Sequence, residues 1–199
     1  NNPDGSALRP ECGWTYETGL KLRRGKAAWR FALYHMDMSN KLGWAKDGTI
    51  NVYYPVNKGE FRNTGFEAEY NRQIHANWHL RLGVSVSNPQ VKDPTTAKGW
   101  VQDSARLQEV VGLEYKKAKW AGSMNFKYLG DREYYAPSNG TAQDVPDNFQ
   151  LSLNTTYVCD EDNEITFGVY NLLNRDIYLS KYGNLDLPRN YRLTFTHRF

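Results

Sequence analysis

Trp78-His79-Leu80-Arg81-Leu82-Gly83-Val84-Ser85-Val86-Ser87 sets every apolar side chain on an even number and every polar side chain or glycine on an odd one. A period of two is a β-strand whose two faces meet different solvents. The alternation recurs downstream: Phe149, Leu151, Leu153 and Tyr157 stand against Gln150, Ser152, Asn154 and Thr156. It recurs again in Tyr191, Leu193, Phe195 and Phe199 against Arg192, Thr194, Thr196 and Arg198. Noisier versions surround Trp120 to Tyr128 and Ile165 to Val169. No window has the period of a long amphipathic helix, so the chain reads as all-β.

Extending the pattern gives about nine strands, over 14–23, 27–38, 64–71, 77–87, 106–116, 119–129, 148–158, 164–171 and 190–199. Their connections alternate: 24–26, 72–76, 117–118 and 159–163 are short, whereas 39–63, 88–105, 130–147 and 172–189 are long. Short turns at one end and long loops at the other describe an antiparallel up-and-down transmembrane β-barrel. Most of the segments also come close to the roughly 9–11 residues that a tilted membrane strand requires.

Composition agrees. The 199 residues include only 2 Cys and no apolar run longer than Phe31-Ala32-Leu33-Tyr34, so a membrane helix is ruled out. Yet Tyr 14, Phe 8 and Trp 6 make the chain rich in amphipathic rings, which a disordered chain would lack. Trp29, Tyr70, Trp78, Tyr115, Trp120 and Tyr157 all lie beside the short turns, where the girdle of a bilayer interface falls. A soluble sandwich would have no reason to place rings beside every turn at one end. The formal charge of +3 is scattered, which argues against a nucleic-acid partner. The first residues, Asn1-Asn2-Pro3-Asp4-Gly5, lack the features of a signal peptide.

Three motifs carry a family resemblance. Ser6-Ala7-Leu8-Arg9-Pro10-Glu11 followed by Trp14 to Lys21, then Arg62-Asn63-Thr64-Gly65-Phe66-Glu67-Ala68-Glu69, then Val169-Tyr170-Asn171-Leu172-Leu173-Asn174-Arg175-Asp176-Ile177-Tyr178 occur in order. Together they resemble the C-terminal part of a TonB-dependent outer-membrane receptor, over nearly the whole chain. Barrels of that family have about 22 strands around a plugged lumen. The resemblance implies that residues 1–199 are a segment of such a barrel, with the plug and earlier strands absent. It also implies a place in the outer membrane and energy-coupled uptake of a scarce bulky nutrient, a ferric siderophore first, haem or cobalamin second. The partners it implies are the TonB complex, acting through the missing part, outer-membrane lipid and a small-molecule ligand. Tyr191, Leu193, Phe195 and Phe199 resemble the terminal strand that the barrel-assembly machinery pairs with; His197 interrupts their parity. A passive porin or small complete barrel, and an outer-membrane barrel enzyme, remain as alternatives.

Site chemistry is sparse. No catalytic set stands out, so no enzyme is expected, and the four His (His35, His75, His79 and His197) show no metal-ligand spacing, so no metal or cofactor is expected. His79 and Arg81 fall on the polar parity and are candidates for ligand contact, although a solvated lumen explains them equally. Trp100, Tyr134, Tyr135, Tyr178 and Tyr182 in the long loops are the ring candidates, with Trp44, Tyr53 and Tyr54 beside them. Glu67 and Glu69 read as lumen carboxylates whose charge Arg81 could compensate. The runs Asp131-Arg132-Glu133 and Asp160-Glu161-Asp162 read as solvated or as cation-binding. Cys12 and Cys159 belong to opposite ends of the strands, about 30 Å apart, too far for a disulfide.

Overall fold

A computed structural model describes residues 2, 5–46, 53–92, 99–135, 142–179 and 184–199. The strands are β1 (Cys12–Arg24), β2 (Ala27–Lys46), β3 (Tyr53–His75), β4 (Trp78–Ser87), β5 (Gln90–Lys92), β6 (Trp100–Gln102), β7 (Leu107–Lys117), β8 (Trp120–Gly130), β9 (Arg132–Tyr135), β10 (Ala142–Val145), β11 (Asn148–Val158), β12 (Asn163–Tyr170) and β13 (Asn190–His197). Nine of them form one antiparallel wall in the order β1-β2-β3-β4-β7-β8-β11-β12-β13, the nine-strand meander read from the periodicity. No helix occurs among the described residues. Nor are β1 and β13 paired with each other there, so the sheet has two open edges.

The register shows why the alternation has its form. Trp29, Tyr70, Leu82, Val111, Phe126 and Leu151 are successive partners across six strands and form one apolar row. The next row consists of Arg30, Glu69, Gly83, Val110, Lys127 and Gln150. A wall with lipid on one side and a polar lumen on the other needs this pairing of like with like. Among the described residues there is no central core. The buried apolar side chains are Ala27, Val56, Ala105, Val145 and Ile177, while Leu193 keeps 74% of its surface exposed.

The expected girdle residues are organised as pairs. Trp29 faces Tyr70, Trp78 faces Tyr115 and Trp120 faces Tyr157, with ring centroids 5.4, 4.8 and 4.8 Å apart. Trp78 and Trp120 open their strands just after a short turn and Tyr115 and Tyr157 stand near the end of the neighbouring ones, while Trp29 and Tyr70 lie two and five residues inside β2 and β3. The rings therefore join adjacent hairpins, each pair contributing about 0.5–1.5 kcal/mol beyond its buried area.

Three of the long connections need correction. The stretch 39–63, read as a long loop, is mostly strand: β2 runs on to Lys46 and β3 begins at Tyr53. Its pattern is hidden because the register shifts between Met38 and Lys41 and again between Lys41 and Leu42, and Asn40 adopts φ 58°. A bulge moves every later side chain to the other parity. Likewise, 88–105 contains β5 and β6, which extend the upper part of β3, and 130–147 contains the β9–β10 hairpin. Strands of three or four residues are too short to show a period.

Gly65 is buried on the polar face, and a Cβ there would collide with the Tyr34 phenol and the Ser87 Cβ. Gly65→Ala is expected to displace Tyr34 and cost about 1–3 kcal/mol, read as a lower urea midpoint for the refolded barrel. Adding Tyr34→Ala should recover only part of that loss, since the contact with the Ser87 Cβ remains.

Candidate functional site

The residues available for binding lie on the polar face and around the long-loop rim. On the polar face Arg30 reaches Glu69 at 3.6 Å, with both side chains about half exposed, so the pair adds little stability. Arg81 does not compensate Glu67 or Glu69. Its guanidinium lies over Gly112 and Nη2 donates to Asn125 Oδ1 at 3.5 Å, because register puts Asn71 and Gly112 beside it and Arg30 opposite Glu69. His79 shares this face, exposed, between Gln73 and Glu114. With Arg23, Lys26, Gln73 and Glu114 it lines a cavity of about 540 Å³ at the short-turn end.

At the rim, three long connections are fastened together by buried polar side chains. Gln102 donates to the Ser104 and Asp131 carbonyls at 2.9 and 2.5 Å, and Arg106 pairs with Asp131 at 3.4 Å. Arg132 donates to the Tyr178 carbonyl (3.0 Å), to Asn148 Oδ1 (3.0 Å) and to the Pro146 carbonyl. Asn148 completes the node, donating to the Tyr178 carbonyl at 2.9 Å and accepting its amide at 2.8 Å. Burial lowers the pKa of the Arg132 guanidinium, opposed by the charge of Asp147. Periodicity does not single out Gln102 and Asn148, since a lone amide beside a strand end has no pattern of its own.

The ring candidates are dispersed. Trp100 opens β6 opposite Lys92, and the Arg62 guanidinium stacks on its indole at 4.2 Å. That puts it on the face shared by Glu60, Lys92 and Arg62. Tyr178 is half-buried and its backbone belongs to the Arg132 node. Tyr134 and Tyr135 are described by their backbone in β9, paired with Gln143 and Ala142. Tyr182 lies outside the described residues, as do the side chains of Trp44 and Tyr53.

The motif residues turn out to be joints. Glu11 Oε1 accepts the Leu42 amide at 2.7 Å, at the bulge of β2. Asn171, 2% exposed with φ 50°, donates to the Arg175 and Leu187 carbonyls and accepts the Arg175 amide. The two acidic runs also have structural tasks. Asp131 pairs with Arg106, and Asp160 Oδ1 accepts the Asp162 and Asn163 amides and the Asn163 side chain. No group of metal-binding side chains occurs among the described residues. Cys12 and Cys159 are both free, one at each end of the wall.

A strand wall with an apolar exterior, a polar interior, short turns at one end and knotted loops at the other belongs to the class of outer-membrane barrels. A family model described as "TonB dependent receptor-like, beta-barrel" matches residues 1–172. The chain belongs to the TonB-dependent receptor-like β-barrel family, whose members are outer-membrane proteins and not enzymes. No curated protein sequence matches it. Solved structures share its fold. The FrpB iron transporter from Neisseria meningitidis gives a TM-score of 0.76 at 16% identity, covering 98% of this chain and 32% of that one. The copper transporter OprC gives 0.74 at 17% identity, covering 100% and 33%. The ferric-catecholate import receptor Fiu from E. coli K12 gives 0.68 at 18% identity, covering 96% and 28%. The chain thus spans about a third of the length of the structures it matches.

Asn171→Ala is expected to free residues 172–179 and 184–189 without unfolding the wall, seen as faster amide exchange and protease cleavage confined to those stretches. Asn163, through its side chain, and the Asp162 amide hold the Asp160 carboxyl below the usual aspartate range. Its contribution to the turn is therefore present above the unfolded pKa of about 3.9 and lost as pH falls through the lower folded value. Exchange at the Asp162 and Asn163 amides should rise only below that range in the wild type, and at every pH in Asp160→Ala.

Proposed function

We propose that this sheet is part of the barrel wall of an active-transport receptor that binds a scarce bulky nutrient at its loop rim and imports it with energy transmitted by TonB. The observation that carries the proposal is the unfinished wall. β1 and β13 expose unpaired backbone, which hydrocarbon does not tolerate. The polar face, with Lys21, Arg23, Glu67, Arg81 and Lys127, needs a polar body against it. Further strands answer the first requirement and a plug the second. Residues 1–199 then form one segment of a barrel domain of about 22 strands. β13, with Tyr191, Leu193 and Phe195 exposed at 64, 74 and 64%, is the edge that the barrel-assembly machinery would pair with. His197 sits on the same parity with its ring edge-on to Phe199 at 4.6 Å.

A ferric siderophore is the substrate class put forward, with haem and cobalamin behind it; iron uptake by family relatives of this fold supports that order. Trp100, Tyr134, Tyr135, Tyr178, Tyr182, His79 and Arg81 are the candidate contacts. Deleting the gene should abolish uptake of one labelled class among ferric siderophores, haem and cobalamin, and loss of TonB should abolish it equally. Uptake that survives TonB loss and saturates only at high concentration would establish a passive pore instead.

A further inference from the structure

We propose that the apolar face holds one anionic phospholipid of the leaflet on the short-turn side, its acyl chain in a groove over Gly122 and Thr155 and its phosphate at Lys117. One register row reads Trp78, Tyr115, Gly122, Thr155, Phe167 and Leu193. Large rings thus flank a gap two strands wide. A Cβ added at Gly122 would have only the Asn154 carbonyl near it, at 3.5 Å, so the gap is open space. It forms a groove of about 530 Å³ whose walls are the Trp78–Tyr115 pair on one side and Phe167 with Val169 on the other, continued toward the loops by Met124 and Leu153. Thr155 turns its hydroxyl to the Ala121 carbonyl at 3.4 Å, which satisfies the one polar side chain on that row.

Charge settles which end of a lipid lies where. Lys117 stands two residues below Tyr115, about 7 Å along the strand, and opposite Trp120, which with Tyr157 forms the ring rim between the groove and the short turns. It is exposed and has no hydrogen bond or ion pair among the described residues. Beside it Lys119 lies 6.0 Å from the Tyr157 ring and donates to the Cys159 carbonyl. The turn after β11 carries Asp160, Glu161 and Asp162, and it is Lys119, next to it, whose charge Asp160 meets, which leaves Lys117 as the cation without an acidic partner among the described residues. An apolar trough running toward the midplane, with one unpaired interfacial cation beside the ring rim at its foot, fits a lipid with an anionic headgroup.

The test uses native mass spectrometry of the intact outer-membrane protein released from nanodiscs of equal phosphatidylglycerol and phosphatidylcholine. The wild type should retain one phosphatidylglycerol, preferred about fivefold over phosphatidylcholine, the scale of one interfacial cation. Gly122→Leu fills the groove and should lose the retained lipid. Thr155→Leu fills it from the neighbouring strand and gives the same readout should the first variant fail to fold. Lys117→Gln should keep a lipid but lose the headgroup preference. Lipid retention unchanged in a folded groove variant overturns the proposal, as does a preference unchanged in Lys117→Gln. A dimer that dissociates on filling the groove while lipid stays bound would make the occupant a second copy of the chain.

Discussion

Hydrocarbon offers no hydrogen-bond partner, so each backbone N–H and C=O that enters it must be satisfied by another strand. Everything else in this structure follows from that constraint. It sets the minimum length of the wall strands and makes antiparallel neighbours the only connection that short turns can supply. It also leaves side chains free to differ completely on the two faces, since none of them is needed to hold the ladder. The row from Trp29 to Leu151 and the row from Arg30 to Gln150 lie one residue apart on the same strands and meet different solvents.

Where the chain leaves the ladder, side chains take over the work of backbone. Glu11 accepts the amide of Leu42 at the bulge, Asn171 completes the bonds of the connection after β12, and Asn148 pairs both ways with Tyr178 as a strand neighbour would. Buried amides of this kind are costly to leave unpaired, and here each is used fully enough to fix a loop in one position. The segments that mark the family in sequence are therefore largely mechanical.

The Trp–Tyr pairs are the counterpart at the other end. Each ring pair spans two hairpins that no short turn connects and sets an amphipathic surface near the short-turn end of the wall. The spacing between these pairs also makes the wall uneven. A row that carries rings at Trp78, Tyr115 and Phe167 but nothing at Gly122 cannot be smooth, and the surface toward lipid acquires a shape of its own.

Alternation by itself determined the nine wall strands, the face each residue takes and the two unlike ends, because a period of two is a local property that survives without knowledge of partners. Ser39 to Asn63 escaped that reading because a bulge resets parity, and a bulge is decided by the partner strand. Pairing decided the rest. Arg81 meets Asn125 and not Glu69 because register, a relation between strands, chooses its neighbours. Gln102, Arg132 and Asn148 form one node although 46 residues separate Gln102 from Asn148 along the chain, because the loops fold back over one rim. Solvent preference is written residue by residue in the sequence, whereas joints between distant segments exist only once the wall has brought those segments together.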